Sequence, residues 1–162
     1  MTQNAQTRSI SMDVWRALAK ENAAPPVTIF LEGDSMRPLI RRGKDAVTII
    51  PLQREIMVGD VVLFSLGKRY IVHRVWQLNG GMVRTFGDNC LYPDPWISET
   101  KVLGQVIRYS RNGRMHRLDT PAARAWGRMW MAIHPIRMCY KRLRAFAGRC
   151  YRKIFPKKIE RR

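Results

Sequence analysis

Short β-forming runs recur along this chain at regular spacing, and each run is closed by residues that favour turns. The runs are rich in Val, Ile, Phe and Tyr and occupy residues 27–31, 46–50, 61–65, 69–77, 82–86, 102–109 and 114–118. The intervals hold turn formers such as Pro51, Gly67, Asn79-Gly80-Gly81 and Asn112-Gly113. Because such runs pair as hairpins, the predicted fold class is mainly β, a coiled antiparallel sheet or pseudo-barrel.

Helical patterns flank the predicted sheet on both sides. Residues 11–21 read as a short helix with Ser11 as its N-cap, and two prolines follow it in the linker. Residues 121–134 and 136–155 read as two helices separated by Pro135. The predicted organisation is an N-terminal helix and linker over 1–26, a β domain over 27–120 and a basic helical tail over 121–162.

The charge of the chain is concentrated in that tail. The net charge is +18, and from residue 121 onward there are 13 Lys and Arg against a single acid, Glu160. Apolar residues recur at helical spacing in the tail, and basic residues occupy much of the remaining surface. This pattern predicts an amphipathic helix that lies on an anionic membrane surface. Packing against a partner protein is an alternative, and nucleic acid ranks below both.

The rest of the composition restricts location and cofactors. No apolar run approaches the ~20 residues that a transmembrane helix needs, and residues 1–10 lack the apolar core of a secretion signal. The three cysteines, Cys90, Cys139 and Cys150, form neither a disulfide framework nor a zinc-binding spacing. We therefore expect a cytoplasmic protein, peripheral at the inner face of the membrane, without a transmembrane anchor, metal or other cofactor.

One hydroxyl and one imidazole occupy positions suited to catalysis. Ser35 lies in a tight turn that is entered through Gly33 and left through Pro38, and His73 lies in the middle of a β-forming run. A serine alcohol is a weak nucleophile until a base removes its proton, and a neutral imidazole can do so near physiological pH. Ser35 and His73 are therefore the candidate nucleophile and general base of a peptide hydrolase.

The same residues carry a family resemblance. Gly-Asp-Ser-Met-Arg-Pro at residues 33–38 resembles the nucleophile box of the signal peptidase I and SOS-repressor superfamily of serine peptidases. Three further boxes resemble that family in the same order: Val-Gly-Asp-Val-Val at 58–62, Ile-Val-His-Arg-Val at 71–75 and Gly-Asp-Asn at 87–89. Most bacterial signal peptidases carry lysine where this chain has His73. The archaeal and endoplasmic-reticulum type carries histidine there, with an aspartate about where Asp94 stands.

The resemblance implies a signal-peptidase-like fold and a Ser-His-Asp mechanism that cleaves a precursor or leader-type peptide. Asp94 is the first candidate to orient His73 and Asp88 the second, while Met36 and Pro38 are the candidate substrate-binding residues. A serine–lysine dyad is the competing mechanism, with Lys68 the lysine nearest to the base box. The alternative function is a catalytically inactive peptide-binding module whose basic tail docks on anionic membrane or nucleic acid.

Overall fold

The fold is built on one antiparallel sheet with helices before and after it. The structure is a computed structural model, which describes residues 11–21, 23–140, 143 and 144. Its strands are β1 (Val27–Phe30), β2 (Ala46–Pro51), β3 (Val61–Leu66), β4 (Arg69–Asn79), β5 (Met82–Phe86), β6 (Ile97–Ser98), β7 (Val102–Arg111) and β8 (Arg114–Arg117), and its helices are α1 (Met12–Lys20) and α2 (Pro121–Ala132). A 3-10 turn, Glu99–Lys101, separates β6 from β7. The prediction of a mainly β fold with flanking helices is confirmed.

Strand β7 organises the sheet because it pairs with three neighbours. The strand order is β1-β2-β7-β3-β4-β5-β6, and β8 pairs with the second half of β7. Strand β3 pairs with the first half of β7 on the same side of that strand as β8, and β2 pairs along its other side. The two-residue β6, which no sequence pattern predicts, adds to β5 through the pairs Met82–Ser98 and Val83–Ile97.

Strand β3 is buried on both faces, which shows how the sheet coils around its core. Val61 and Leu63 pack into one hydrophobic cluster with residues of α1, β2 and β7. Val62 and Phe64 point the other way into a second cluster with residues of β4, β5 and β6. Alternate side chains of one strand thus enter two separate cores. The β3–β4 hairpin, which carries His73, is held firmly between them.

The N-terminal helix α1 is part of the first of these cores. The Ser11 side chain accepts a hydrogen bond from the Val14 N–H and caps the helix. Trp15 is completely buried, and its indole N–H donates to the Pro25 carbonyl at 2.8 Å. At Gly104 of β7 a Cβ would lie 2.8 Å from the Trp15 ring, so the glycine makes room for the indole. Although the predicted boundary at residue 26 separates α1 from the β domain, the helix completes the core of that domain.

The described chain from residue 121 to 140 is helical and interrupted near the predicted place. Helix α2 begins at Pro121, with the Thr120 side chain accepting from the Ala123 N–H, and ends at Ala132. Residues 134–140 are helical again, so the interruption falls at Ile133, and Pro135 lies in the first turn of the next helix, where its missing N–H costs little. Most of the second predicted helix, 136–155, lies outside the described residues. None of the described helices combines the length and apolarity needed to cross a bilayer.

Candidate active site

Ser35 lies in the turn that follows β1. The turn spans residues 34–40 and is closed by hydrogen bonds from the Arg37 N–H to the Asp34 carbonyl and from the Ile40 N–H to the Met36 carbonyl. Ser35 is half-buried. A Cβ at Gly33 would meet its nearest neighbouring atom, Ser35 Oγ, only at 3.9 Å, so this turn does not need a glycine for space. Its shape comes from the hydrogen bonds.

His73 lies in the middle of β4 and is oriented by an aspartate. It is paired opposite Val62 of β3, shares a face with Phe64 and is buried. Its Nδ1 lies 2.6 Å from Asp94 Oδ2, so the ring donates a proton to the carboxylate there. The Thr85 hydroxyl donates to the same carboxylate oxygen at 2.6 Å, and the Asp94 N–H donates to the Thr85 carbonyl at 2.9 Å. Strand β5 thus fixes Asp94, and Asp94 fixes the imidazole.

The environment of His73 favours its protonated form. Burial alone would lower the pKa of the imidazole, but the hydrogen bond to the Asp94 carboxylate and the neighbouring Cys90 thiol outweigh burial and raise the pKa of His73 to about 9. For Asp94, burial acts to raise the pKa, and the hydrogen bond from His73 overcomes it, so that the pKa of Asp94 is lowered. The pair therefore stabilises an imidazolium, the species a general base becomes when it accepts a proton.

The loop 87–90 contacts both the Ser35 turn and His73. The Asn89 N–H donates to the Ser35 carbonyl at 2.7 Å, and the Asn89 side chain donates to the Asp34 carbonyl at 3.2 Å. A Cβ at Gly87 would lie 2.9 Å from His73 Nε2, 3.0 Å from the Ser35 carbonyl oxygen and 2.5 Å from Cys90 Sγ. These three groups therefore converge on one point that only glycine leaves open. Among the described residues, the Ser35 hydroxyl and His73 share no hydrogen bond; such contacts are often loose until substrate binds.

Asp88 lies on the other side of β4 from His73 and has a different partner. Its carboxylate accepts from Arg74 Nε at 2.9 Å and from Arg74 Nη2 at 2.8 Å, and Arg74 Nη1 donates to the Gly59 carbonyl at 2.9 Å. Both members of this ion pair are almost completely buried. Because successive residues of a strand point to opposite faces, a carboxylate that binds Arg74 cannot also orient His73. The second alternative for the orienting aspartate is therefore corrected: Asp88 ties the loop to β4.

The two predicted substrate-binding residues do not face the groove beside Ser35. Met36 is completely buried in the first hydrophobic cluster, because the turn directs it inward as it brings Ser35 to the surface. Pro38 is exposed, and its carbonyl accepts from Arg111 at 3.2 Å. Met36 is thus a core residue and Pro38 part of a surface turn. Lys68 is exposed in the β3–β4 turn, as expected for a hydrated lysine.

The groove itself lies between β1 and β4. It has a volume of about 460 Å³ and is lined mainly by residues 29–33 and 70–72, together with Ser35. Strand β1 is the terminal strand of the sheet and pairs with β2 along one edge. An extended peptide in this groove could add to the open edge of β1 and reach Ser35. Within the described part of the chain, no group of His, Cys, Asp and Glu side chains is arranged to hold a metal ion.

Several residues of the site carry no recognisable signal in the sequence. Thr85 and Cys90 contact the Asp94–His73 pair only because of how β5 and the following loop fold. Arg74 reads as an ordinary polar residue of an alternating strand, yet it is one of the largest fully buried side chains. The Gly-Asp-Asn box at 87–89 was the available clue to these contacts. Its glycine lies against His73 and the Ser35 carbonyl, and its aspartate binds Arg74.

The chain was compared with models of known protein families and with curated protein sequences. A family model described as Peptidase S24-like matches residues 4–107, which is more than half of the chain and includes Ser35, His73 and Asp94. No curated protein sequence matches the chain significantly.

Proposed function

The chain belongs to the Peptidase S24-like family, and from that premise we propose that it is a serine endopeptidase that cleaves a precursor or leader-type peptide. The observation that carries the proposal is the convergence at Gly87, where the Ser35 turn and His73 Nε2 both come within contact of one point. His73 is already held there by Asp94 through its other ring nitrogen. Because Asp94 binds Nδ1, Nε2 is the ring nitrogen that would accept the proton of Ser35.

The chemistry follows from these positions. Ser35 attacks the scissile carbonyl while His73 Nε2 accepts the serine proton, and Asp94 stabilises the imidazolium that forms. The developing oxyanion takes a hydrogen bond from the Ser35 N–H, a contribution worth ~3–4 kcal/mol where one such donor has been removed from other enzymes. His73 then gives the proton to the leaving amine. In the second half of the reaction His73 takes a proton from water as it attacks the acyl-enzyme, and returns that proton to Ser35 Oγ as the acid product leaves.

The substrate that suits this site is an extended segment of polypeptide. Main-chain hydrogen bonds to the free edge of β1 would align it in the groove, and alternate side chains would face residues 70–72. Recognition that rests mainly on the backbone fits a peptidase that acts on an exposed, unstructured part of its substrate. Glu32 lines the same groove and gives it an acidic group for a basic or polar side chain.

A fluorophosphonate probe tests the proposal on the full-length protein. We expect covalent labelling that is lost in Ser35→Ala and in His73→Ala. Cys90→Ala removes the other nucleophilic side chain beside His73, and Asp34→Ala removes the exposed neighbour of Ser35; both should keep the labelling. If folded protein is never labelled, or if labelling survives in Ser35→Ala and disappears in Cys90→Ala, the serine mechanism is wrong.

A peptide-binding module without catalysis is the second candidate function. The observation that favours it is the missing hydrogen bond between the Ser35 hydroxyl and His73, which leaves the nucleophile without its base in the unliganded site. Such a protein would bind extended peptides in the β1–β4 groove equally well as Ser35→Ala and as the parent, and it would never release a cleaved product. Mass spectrometry of a peptide library after incubation distinguishes the two functions.

We place the reaction at an anionic membrane surface. The described helical residues after 120 expose five apolar side chains, those of Trp126, Met129, Ile136, Tyr140 and Leu143. The last three recur at helical spacing and form an apolar stripe. Ile136 and Leu143 are 72% and 68% exposed. Basic residues accompany this stripe, which suits a bilayer that is apolar inside and negatively charged at its surface.

Vesicle co-sedimentation tests the location independently of catalysis. We expect binding to vesicles that contain anionic lipid, weaker binding to neutral vesicles, and loss of binding in the double variant Ile136→Ser, Leu143→Ser. Leu78→Ser removes an exposed leucine of β4 and serves as the matched control. Binding to duplex DNA with a steep salt dependence, without binding to vesicles, would refute the membrane location.

A further inference from the structure

The helical segment of residues 121–140, here called the C-terminal brace, packs directly behind the loop that joins Ser35 to His73. The brace lies outside residues 4–107, which the family model matches. Its contacts fall into three groups, which involve Arg74, Asp88 and Cys90.

The first contact places α2 against the buried arginine. A Cβ at Gly127 would lie 2.3 Å from Arg74 Nη1, so the helix backbone rests on the guanidinium. The Trp126 ring covers the same group, with its centroid 5.8 Å from Arg74 Cζ. Nearby, Gly59 has a φ of +100°, and a Cβ there would lie 2.7 Å from the Arg124 carbonyl oxygen. Close approach at two glycines shows that the helix is seated firmly on the sheet.

The second contact holds the main chain of the loop at Asp88. Arg137 Nη2 donates to the Asp88 carbonyl at 2.9 Å, and the Trp130 indole N–H donates to the same oxygen at 3.4 Å. The Arg137 guanidinium lies over the Trp130 ring at 3.5 Å, which fixes both donors relative to each other. A charged donor makes the stronger hydrogen bond of the two, so Arg137 dominates this contact.

The third contact holds the far end of the loop. His134 Nε2 donates to the Cys90 carbonyl at 2.7 Å, and the His134 ring packs edge-on against Phe86, with their centroids 4.4 Å apart. The two carbonyls that the brace binds, at Asp88 and Cys90, flank Asn89, whose N–H binds the Ser35 carbonyl. A shift of the brace would therefore move the hydrogen bond that positions Ser35.

We propose that the C-terminal brace positions Ser35 against His73 by fixing the main chain of the loop 87–90, with Arg137 and His134 as positioning residues. The inference rests on the serine peptidase function proposed above. Neither residue contacts the groove, so the brace acts through the loop and not on substrate. A misplacement of about 1 Å at reacting groups can cost an enzyme up to about 10²-fold in rate.

Labelling kinetics of the full-length protein with the fluorophosphonate test the brace. We expect Arg137→Ala to lower the maximal labelling rate at least about tenfold while the probe concentration for half-maximal rate stays unchanged, since the groove is intact. Arg137→Lys keeps a cationic donor and should recover most of the rate. Arg128→Ala removes an exposed arginine of α2, elsewhere in the brace, and should label like the parent.

A second readout separates positioning from loss of stability. We expect the low-field NMR signal of the His73 Nδ1 proton to persist in Arg137→Ala, because Asp94 still binds it in a folded protein. Labelling equal to that of Arg128→Ala, a fall that merely follows the fraction of unfolded protein, or no recovery in Arg137→Lys would each overturn the proposal. Absence of any Ser35-dependent labelling in the parent would instead refute the peptidase function.

Discussion

The Asp94→Asn variant offers a demanding test of the site, because it should act in opposite directions on two quantities. The parent holds the pKa of His73 at about 9, against an ordinary value of 6.5. This difference corresponds to about 3 kcal/mol of extra stability for the imidazolium. Asparagine keeps the size of the side chain but removes its charge. Burial is then opposed only by the neighbouring Cys90 thiol, so the pKa of His73 should fall from about 9 toward its ordinary value of 6.5.

Two consequences for the rate follow. The midpoint of the pH–rate profile should move from about 9 in the parent toward 6.5 in the variant, since only neutral His73 can accept the serine proton. The plateau at high pH should fall by up to about 10²-fold, because the imidazolium in the transition state loses the same ~3 kcal/mol. At pH 7 about one hundredth of His73 is neutral in the parent and most of it in the variant, so the two effects nearly offset.

The assay is the second-order rate of fluorophosphonate labelling between pH 5.5 and 10, with Asp34→Ala as the control whose profile should match that of the parent. We expect parent and Asp94→Asn to label at similar rates near pH 7 and to differ by up to about 10²-fold near pH 10. A variant that keeps a midpoint near 9, or that is slower by the same factor at every pH, would refute the role of the Asp94 charge.

Three further predictions concern stability and packing. Because the folded state raises the pKa of His73 to about 9, the stability from its protonation is complete below pH 6.5 and is lost as pH rises through 9. Over this pH range the free energy of unfolding in urea should therefore fall by about 3 kcal/mol more in the parent than in Asp94→Asn. Gly87→Ala should remain folded by circular dichroism but label at least about tenfold more slowly, because its methyl group would lie 2.9 Å from His73 Nε2; parent-like labelling would contradict the convergence at this glycine. Burial alone would raise the pKa of Asp45, but hydrogen bonds from Arg41 and Arg111 lower that pKa far below its usual range. Asp45→Asn should therefore lower the free energy of unfolding at pH 7 by roughly 2 kcal/mol. An unchanged midpoint of urea unfolding would contradict this prediction.

The sequence was informative wherever a local pattern decides the structure. Period-two alternation puts Ile71, His73 and Val75 on one face of β4, and the structure has Ile71 and Val75 packed with the second hydrophobic cluster on that face. Turn residues delimited the hairpins well. The helix start at Pro121 agrees with the predicted one, and the Thr120 cap and the proline that fix it both act within one turn.

The choice between Asp88 and Asp94 shows what local patterns could not decide. Both aspartates follow β5 within a few residues, so the sequence places both near His73 without saying which side of β4 each one reaches. That side is set by the path of the loop over Ser35 and by the buried Arg74, which forms an ion pair with Asp88. Met36 was predicted to bind substrate but lies in the core, because the depth of a turn residue depends on what packs beneath the turn.

The close packing of α2 on Arg74 determines how this protein can be shortened for laboratory use. Arg74 is 1% exposed, and part of its cover is the helix backbone at Gly127. A protein trimmed after residue 120, at the limit of the β domain, would open this cation to water and leave the Asp88 and Cys90 carbonyls without their donors. Trimming to the matched region alone would also remove β8, so neither shortened form is a fair substitute for the whole chain in an activity screen.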